Sequence, residues 1–114
     1  MNPIVIIPTY NEKENISLMI DKVLGLAEDF DILIVDDNSP DGTAAIVASR
    51  LSEDNRIHLM KRAGKQGLGT AYIAGFKWCL EHNYQYIFEM DCDFSHNPDD
   101  LIRLVAELRQ ADTD

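Results

Sequence analysis

Apolar residues in this chain form two alternating patterns. Short runs read as strands: "PIVIIPTY" opens with one over residues 3–8, "DILIVDD" gives a second, "RIHLMKR" a third and "YQYIFEMD" a fourth. Between them the apolar positions recur at helical spacing. Ile16, Met19, Ile20 and Val23, followed by Leu26 or Ala27, mark the first helix, and Ala44, Ile46, Val47 and Leu51 the second. Tyr72, Phe76, Cys79 and Leu80 mark a third helix, and Leu101, Ile102, Val105 and Leu108 give a fourth its apolar face. Polar punctuation agrees with these breaks. Asn11 with Glu14 three residues on has a capping-box pattern. "NSPDGT" reads as a turn and "AGKQGLGT" as a glycine-rich loop. Asn97 is placed to cap the last helix, with Pro98 at its first position and Asp99 and Asp100 in its first turn. Strand–helix units repeated four times predict an α/β fold with a mainly parallel sheet, covered by helices on both faces and joined by right-handed crossovers.

At 114 residues and 46% hydrophobic, the chain is the size of one small globular domain. Its purely apolar stretches, such as residues 4–7, are far too short to span a bilayer, and strand-like residues begin at once where a signal peptide would stand. The expected location is therefore cytoplasmic, or at most peripheral to a membrane. A net charge of −10, from 20 acidic and 10 basic residues, argues against nucleic acid as the main partner, because binding phosphate backbones needs a basic face. Lys61, Arg62 and Lys65 nonetheless cluster in "KRAGK", as a solvated loop or as an anion contact. Cys79 and Cys92 have no CxxC or Cys/His metal spacing and read as reduced, buried thiols.

In an open parallel sheet, ligands bind beyond the carboxyl ends of the strands. The distinctive polar residues lie there: "PTYNE" after the first strand, Asp36-Asp37-Asn38 after the second, Arg62 and the glycine loop after the third, and Asp91-Cys92-Asp93 after the fourth. Along an extended chain Asp91 and Asp93 leave on the same side and Cys92 on the other. Two such carboxylates repel unless they share a cation. A hard divalent ion held by one or two carboxylates plus substrate phosphates resolves this, so the pair reads as a bridge through Mg²⁺ or Mn²⁺ to a diphosphate; the alternative is a turn cap ahead of Pro98. Gly64, Gly67 and Gly69 match neither a Walker sequence nor a dinucleotide fingerprint, and either turn the chain or let backbone approach a phosphate at the start of the third helix. His96 reads as a turn residue and is not counted as a ligand. His58 and His82 read as structural, and Trp78 as packing.

Together "PTYNE", "VDDNSPDGT", "GLGTAYIAGF" and "MDCDFSHNP" resemble the family 2 inverting glycosyltransferases of GT-A fold, most of all the dolichyl- or polyprenyl-phosphate mannose synthase group. The resemblance implies a Rossmann-like three-layer sandwich with the first and fourth strands adjacent, and a topological switch point between them. It implies that Pro8, Tyr10 and Glu12 contact base and ribose, and that Asp37, with Asp36 and Val35, holds the base edge. Arg62, Lys65 and the loop at Gly67 would border the nucleotide. Asp91, Cys92 and Asp93 would form the DxD segment and carry the catalytic metal contact, with Asp93 the direct ligand. Ser95 stands where some relatives carry a glutamine ligand, and its hydroxyl is a weaker donor. The implied reaction moves mannose from GDP-mannose to a polyprenyl phosphate at a membrane surface, with inversion and with Mg²⁺ or Mn²⁺ as Lewis acid. A phosphate acceptor is already ionised near neutral pH and needs no general base. Residues 1–114 are then expected to be the nucleotide-sugar-binding N-terminal part of a longer domain, with little or no turnover alone. The competing reading is a phospho-accepting receiver domain, which carries an "ILIVDDN"-like first strand. Here that stretch follows an earlier strand–helix unit, and "PTYNE" and "GLGTAY" have no role in such a scheme.

Overall fold

The computed structural model describes residues 2–64, 66–93, 95 and 97–113, the last two as backbone. Four strands and four helices alternate: β1 (Ile4–Thr9), α1 (Ile16–Leu24), β2 (Asp31–Asp36), α2 (Thr43–Arg50), β3 (Ile57–Lys61), α3 (Leu68–Glu81), β4 (Ile87–Glu89) and α4 (Asp100–Thr113). The strands form one sheet in the order β3-β2-β1-β4, with every pairing parallel. Ile4 is the register mark: it lies opposite Asp31 on β2 and Ile87 on β4. Short as β4 is, hydrogen bonds from the Ile4 N–H to Tyr86 O and from the Met90 N–H to Ile6 O, both 3.0 Å, extend its contact with β1 at each end.

Alternation along the strands divides the core into two layers. Val5, Ile7, Ile32, Ile34, Ile57 and Phe88 face one side, where Ile16, Met19, Ile20 and Val23 of α1, Val47 of α2 and Leu101 and Val105 of α4 cover them. Ile4, Ile6, Leu33 and Val35 face the other, under Ala71 and Cys79 of α3. β1 is buried along its whole length. This is the expected three-layer arrangement, and the adjacency of β1 and β4 is as the resemblance implied. Among the described residues no helix is long and apolar enough to cross a membrane.

Three local expectations are corrected. Asn11 does not cap α1, which begins at Ile16 after Asn15, with no side-chain cap. Asn11 instead takes a left-handed conformation, φ 56°, which asparagine tolerates better than most residues. Of the four positions that mark α3 in the sequence, only Cys79 belongs to its buried stripe, with Tyr72 half-buried. Ala71, Gly75 and Cys79 are its buried residues, while Phe76 and Leu80 remain 45% and 54% exposed. A Cβ on Gly75 would stand 2.8 Å from the Ile6 side chain, so this helix sits too close to β1 for a larger residue. Phe76 and Leu80 border a groove of about 430 Å³ with Tyr84, Tyr86, Ile87 and Leu108. Finally, the glycine-rich segment is partly helix, since α3 starts at Leu68 and includes Gly69. Asn97 makes the side-chain bond expected of a cap, its Oδ1 accepting the Asp99 N–H at 3.0 Å, but Pro98 and Asp99 form a turn and α4 itself starts at Asp100. His58, Trp78 and His82 pack on one another, with the Trp78 and His82 rings stacked at 3.8 Å.

Candidate active site

At the carboxyl ends of the strands, where β1 separates β2 from β4, lies a cavity of about 260 Å³. This is just below the size at which small-molecule pockets begin, roughly 300 Å³. Pro8, Thr9, Tyr10 and Glu12 line it from β1 and its turn, and Asp37 from the end of β2. Gly67, Leu68 and Ala71 contribute from the start of α3, and Asp91, Cys92 and Asp93 from the segment after β4. The ladder of β4 stops at Glu89, so Asp91 and Asp93 sit beyond the strand proper. Both line the cavity all the same, while Cys92 is 3% exposed and belongs to the core layer under α1 and α4.

The turn after β1 is stitched to the turn after β2. The N–H of Asn11 donates to Ser39 Oγ (2.9 Å), that of Glu12 to Thr43 Oγ1 (3.0 Å) and that of Lys13 to Asp41 Oδ2 (3.1 Å). Asp41 Oδ1 in turn accepts the Thr43 N–H at 3.0 Å and its hydroxyl at 2.5 Å. Partial burial pushes the Asp41 carboxyl upward. The Thr43 hydroxyl, the Lys13 and Thr43 amides and the Lys13 charge outweigh it and hold the pKa below its ordinary 3.8. The "NSPDGT" segment thus supplies the partners that the "PTYNE" backbone lacks, which is why the two motifs belong together.

The adjacent acids Asp36 and Asp37 divide between core and cavity. Asp36 has no exposed surface. Its Oδ1 accepts Thr9 Oγ1 (2.6 Å) and Ser39 Oγ (2.7 Å), and its Oδ2 the Ser39 N–H (2.9 Å). Val35 is equally buried, in the layer under α3. Neither offers a ligand any surface, which corrects the expectation that they help hold a base. Asp37 does line the cavity, but its carboxylate is engaged by Arg62: Nε to Oδ1 at 2.5 Å and Nη2 to Oδ2 at 2.9 Å, with side chains only 7% and 10% exposed. The Gln66 N–H also reaches Oδ2 (3.2 Å), and Arg62 Nη2 continues to Gly67 O (3.3 Å) and Thr70 Oγ1 (3.1 Å). The pair is therefore a clamp that holds the segment leading into α3. Gly67, at φ 98°, makes the turn that aims that helix at the cavity. Lys65 lies outside the described residues, as does His96.

Asp91 Oδ1 accepts the Tyr72 hydroxyl at 2.6 Å. Asp93 is exposed and its Oδ1 accepts the Ser95 N–H at 3.0 Å, so Ser95 meets the pair through its backbone. Burial, with the charges of Glu12 and Asp93, pushes the Cys92 thiol up to about 12, so it remains a neutral, unreactive wall. Among the described residues no three His, Cys, Asp or Glu side chains group to hold a metal ion. Two carboxylates on one cavity fit a hard cation that the protein holds only in part, the remaining oxygens coming from a diphosphate and water. Tyr72, Thr70 and Ser39 had no assigned part in the sequence reading. The signal for Tyr72 was its phenol, which needs a partner when its ring is buried.

Comparison with known proteins places these features in a family. The profile of "Glycosyl transferase family 2" matches residues 4–114. An undecaprenyl-phosphate mannosyltransferase of Micrococcus luteus is 46% identical over 112 residues, which is 98% of this chain and 46% of that protein. A polyprenol monophosphomannose synthase of Mycolicibacterium smegmatis is 48% identical over 103 residues, 90% of this chain and 39% of that protein. The chain thus spans less than half the length of these curated relatives. Among solved structures, S. aureus TarS with UDP-GlcNAc superposes at a TM-score of 0.78 with 23% identity, covering 96% of this chain and 32% of that one. A mannosyltransferase of Pyrobaculum calidifontis, in complex with GDP-Man and Mn²⁺, superposes at 0.62 with 24% identity, covering 68% and 25%. At such identities these two report the fold, which is that of the GT-A glycosyltransferases. Nothing in these comparisons supports a receiver domain.

Proposed function

Because this chain belongs to glycosyl transferase family 2, we propose that its cavity binds a nucleotide-sugar, GDP-mannose, for transfer of the sugar to a polyprenyl phosphate. The observation that carries this reading is the meeting, at the gap between β2, β1 and β4, of two differently built walls. One is the rigid wall of Pro8, Tyr10, Glu12 and Asp37; the other carries Asp91 and Asp93. The first suits the base and ribose, because its backbone is stitched and its acids are largely engaged by protein donors. The second suits a diphosphate, provided a divalent cation balances the two carboxylates. The names of the two curated relatives supply the sugar and the lipid acceptor, and the Pyrobaculum neighbour, solved with GDP-Man and Mn²⁺, is consistent with both donor and metal. The fold alone does not select the base, since TarS with the same fold holds UDP-GlcNAc.

In this reading Asp91 and Asp93 hold Mg²⁺ or Mn²⁺, which when bound supplies Lewis-acid stabilisation of the departing diphosphate. The N-terminal turn of α3, after Gly67, adds backbone dipole on the same side. Arg62 acts through Asp37 by fixing the entry to that helix. The acceptor phosphate attacks the anomeric carbon from the face opposite the diphosphate and is itself the ionised nucleophile, so no side chain of this chain is assigned as base. A lipid acceptor would bring the protein to the cytoplasmic surface of a membrane.

Calorimetric titration with GDP, GDP-mannose, UDP and UDP-GlcNAc, each with Mn²⁺ and with EDTA, tests the reading. Guanine nucleotides should bind, and more tightly with Mn²⁺. Equal affinity for the uridine series would remove the donor assignment, and no nucleotide binding at all would remove the function.

A further inference from the structure

The hydrogen bond between Tyr72 and Asp91 takes no part in the stitching of the turns after β1 and β2, yet it reaches one of the two acids proposed to hold the cation. α3 packs on the sheet through Ala71, Gly75 and Cys79, and Tyr72 follows Ala71 by one position. Its ring is half-buried against the core layer under α3, and its hydroxyl crosses to Asp91 Oδ1 at 2.6 Å. Among the described residues no other hydrogen bond reaches the Asp91 carboxylate. A lone aspartate beyond a strand end can turn about two torsions, whereas a cation needs one oxygen held in place. A donor on one oxygen fixes the plane of the group, leaves the other for the ion, and draws off charge that would repel Asp93.

We propose that Tyr72 is a positioning residue of the metal–diphosphate site, its hydroxyl holding Asp91 in the orientation that offers the second carboxylate oxygen to the divalent cation. The inference rests on the reading of Asp91 and Asp93 given above, and it assigns a part to a helix that the DxD segment does not include. Tyr72 also ties α3, and with it the Gly67 turn, to the segment after β4, so both ends of the diphosphate site share one rigid link. A purely structural tyrosine would fasten α3 and nothing more. The close seating of Gly75 on Ile6 already does that without the hydroxyl.

The test is Mn²⁺ uptake in the presence of GDP, followed by the paramagnetic resonance signal of the free ion, with GDP affinity in EDTA and the urea midpoint measured alongside. Tyr72→Phe keeps the ring and should weaken Mn²⁺ binding about tenfold. GDP affinity in EDTA and the urea midpoint should hold. Tyr72→Phe combined with Asp91→Asn should bind Mn²⁺ no more weakly than Asp91→Asn alone, because the hydroxyl acts through that carboxylate. Wild-type Mn²⁺ affinity in Tyr72→Phe overturns the proposal, as does additive loss in the double variant. A parallel loss of GDP affinity in EDTA also overturns it, since the hydroxyl would then be supporting the whole rim. Failure of the underlying reading appears separately, as an absence of GDP-dependent Mn²⁺ uptake by the unaltered protein.

Discussion

The acids at and beyond the end of β2 and those beyond β4 look alike in the sequence and are built in opposite ways. Asp36 and Asp41 each accept three hydrogen bonds from the protein, as does Asp37. Their donors lie in the turns and strands around them, so this wall is finished before any ligand arrives. Among the described residues Asp91 accepts one such bond, from Tyr72, and Asp93 stands exposed on the cavity with the Ser95 N–H on its Oδ1. The lesson is one of hydrogen-bond accounting. A buried carboxylate engaged by several protein donors is part of the scaffold, and one such as Asp91, with a single donor on one oxygen, retains capacity for a cation.

That contrast can be broken from the scaffold side. Asp36→Ala would leave two hydroxyls and an amide without their buried acceptor, and should cost about 4 kcal/mol. Urea unfolding reads this directly, and a midpoint within error of wild type would show that Asp36 is not the keystone described. Arg62→Ala removes one partner of a nearly buried pair and should cost about 3 kcal/mol. It should also raise the hydrogen-exchange rate of the Gln66 amide, which donates to Asp37. Unchanged exchange there would mean the clamp does not hold the entry to α3. The smallest effect concerns Asp41. Its folded-state pKa lies below 3.8, so its contribution is fully present above that value and fades as the pH falls through the lower, folded one. The stability gap between wild type and Asp41→Asn should therefore be constant near about pH 6 and close on acidification below about pH 4. A gap that widens on acidification would reverse the assignment.

The sheet was legible because β1 and β2 carry uninterrupted apolar runs, β3 and β4 shorter apolar stretches broken by single polar residues, and each strand is followed by polar residues. The stripe of α3 was legible only at Cys79, because Ala71 and Gly75 carry little hydrophobic bulk and the periodicity of Tyr72, Phe76 and Leu80 overrode them. Close packing against Ile6 selects small residues, and a pattern of large ones points to the wrong face. Asn11 matched a capping box by spacing alone, whereas the turn required its tolerance of positive φ. The cavity wall was largely legible, with Pro8, Tyr10, Glu12, Asp37, Gly67, Asp91, Cys92 and Asp93 all brought to one place. The burial of Val35 and Asp36 was not, since neighbouring residues at a strand end differ only in the direction their side chains take. Tyr72 escaped notice because an aromatic at helical spacing is counted as apolar, and its hydroxyl finds Asp91 only once the topology sets β4 within reach of α3.

The central claim is that the acids after β4 serve a ligand through a cation while those after β2 serve the fold. Its most direct measurement compares GDP affinity with Mn²⁺ and with EDTA in wild type and in Asp93→Asn. Wild type should gain at least about tenfold in affinity from Mn²⁺, about 1.4 kcal/mol. Asp93→Asn should lose that gain, with its stability unchanged to within about 0.5 kcal/mol. A full Mn²⁺ gain retained by Asp93→Asn would contradict the claim.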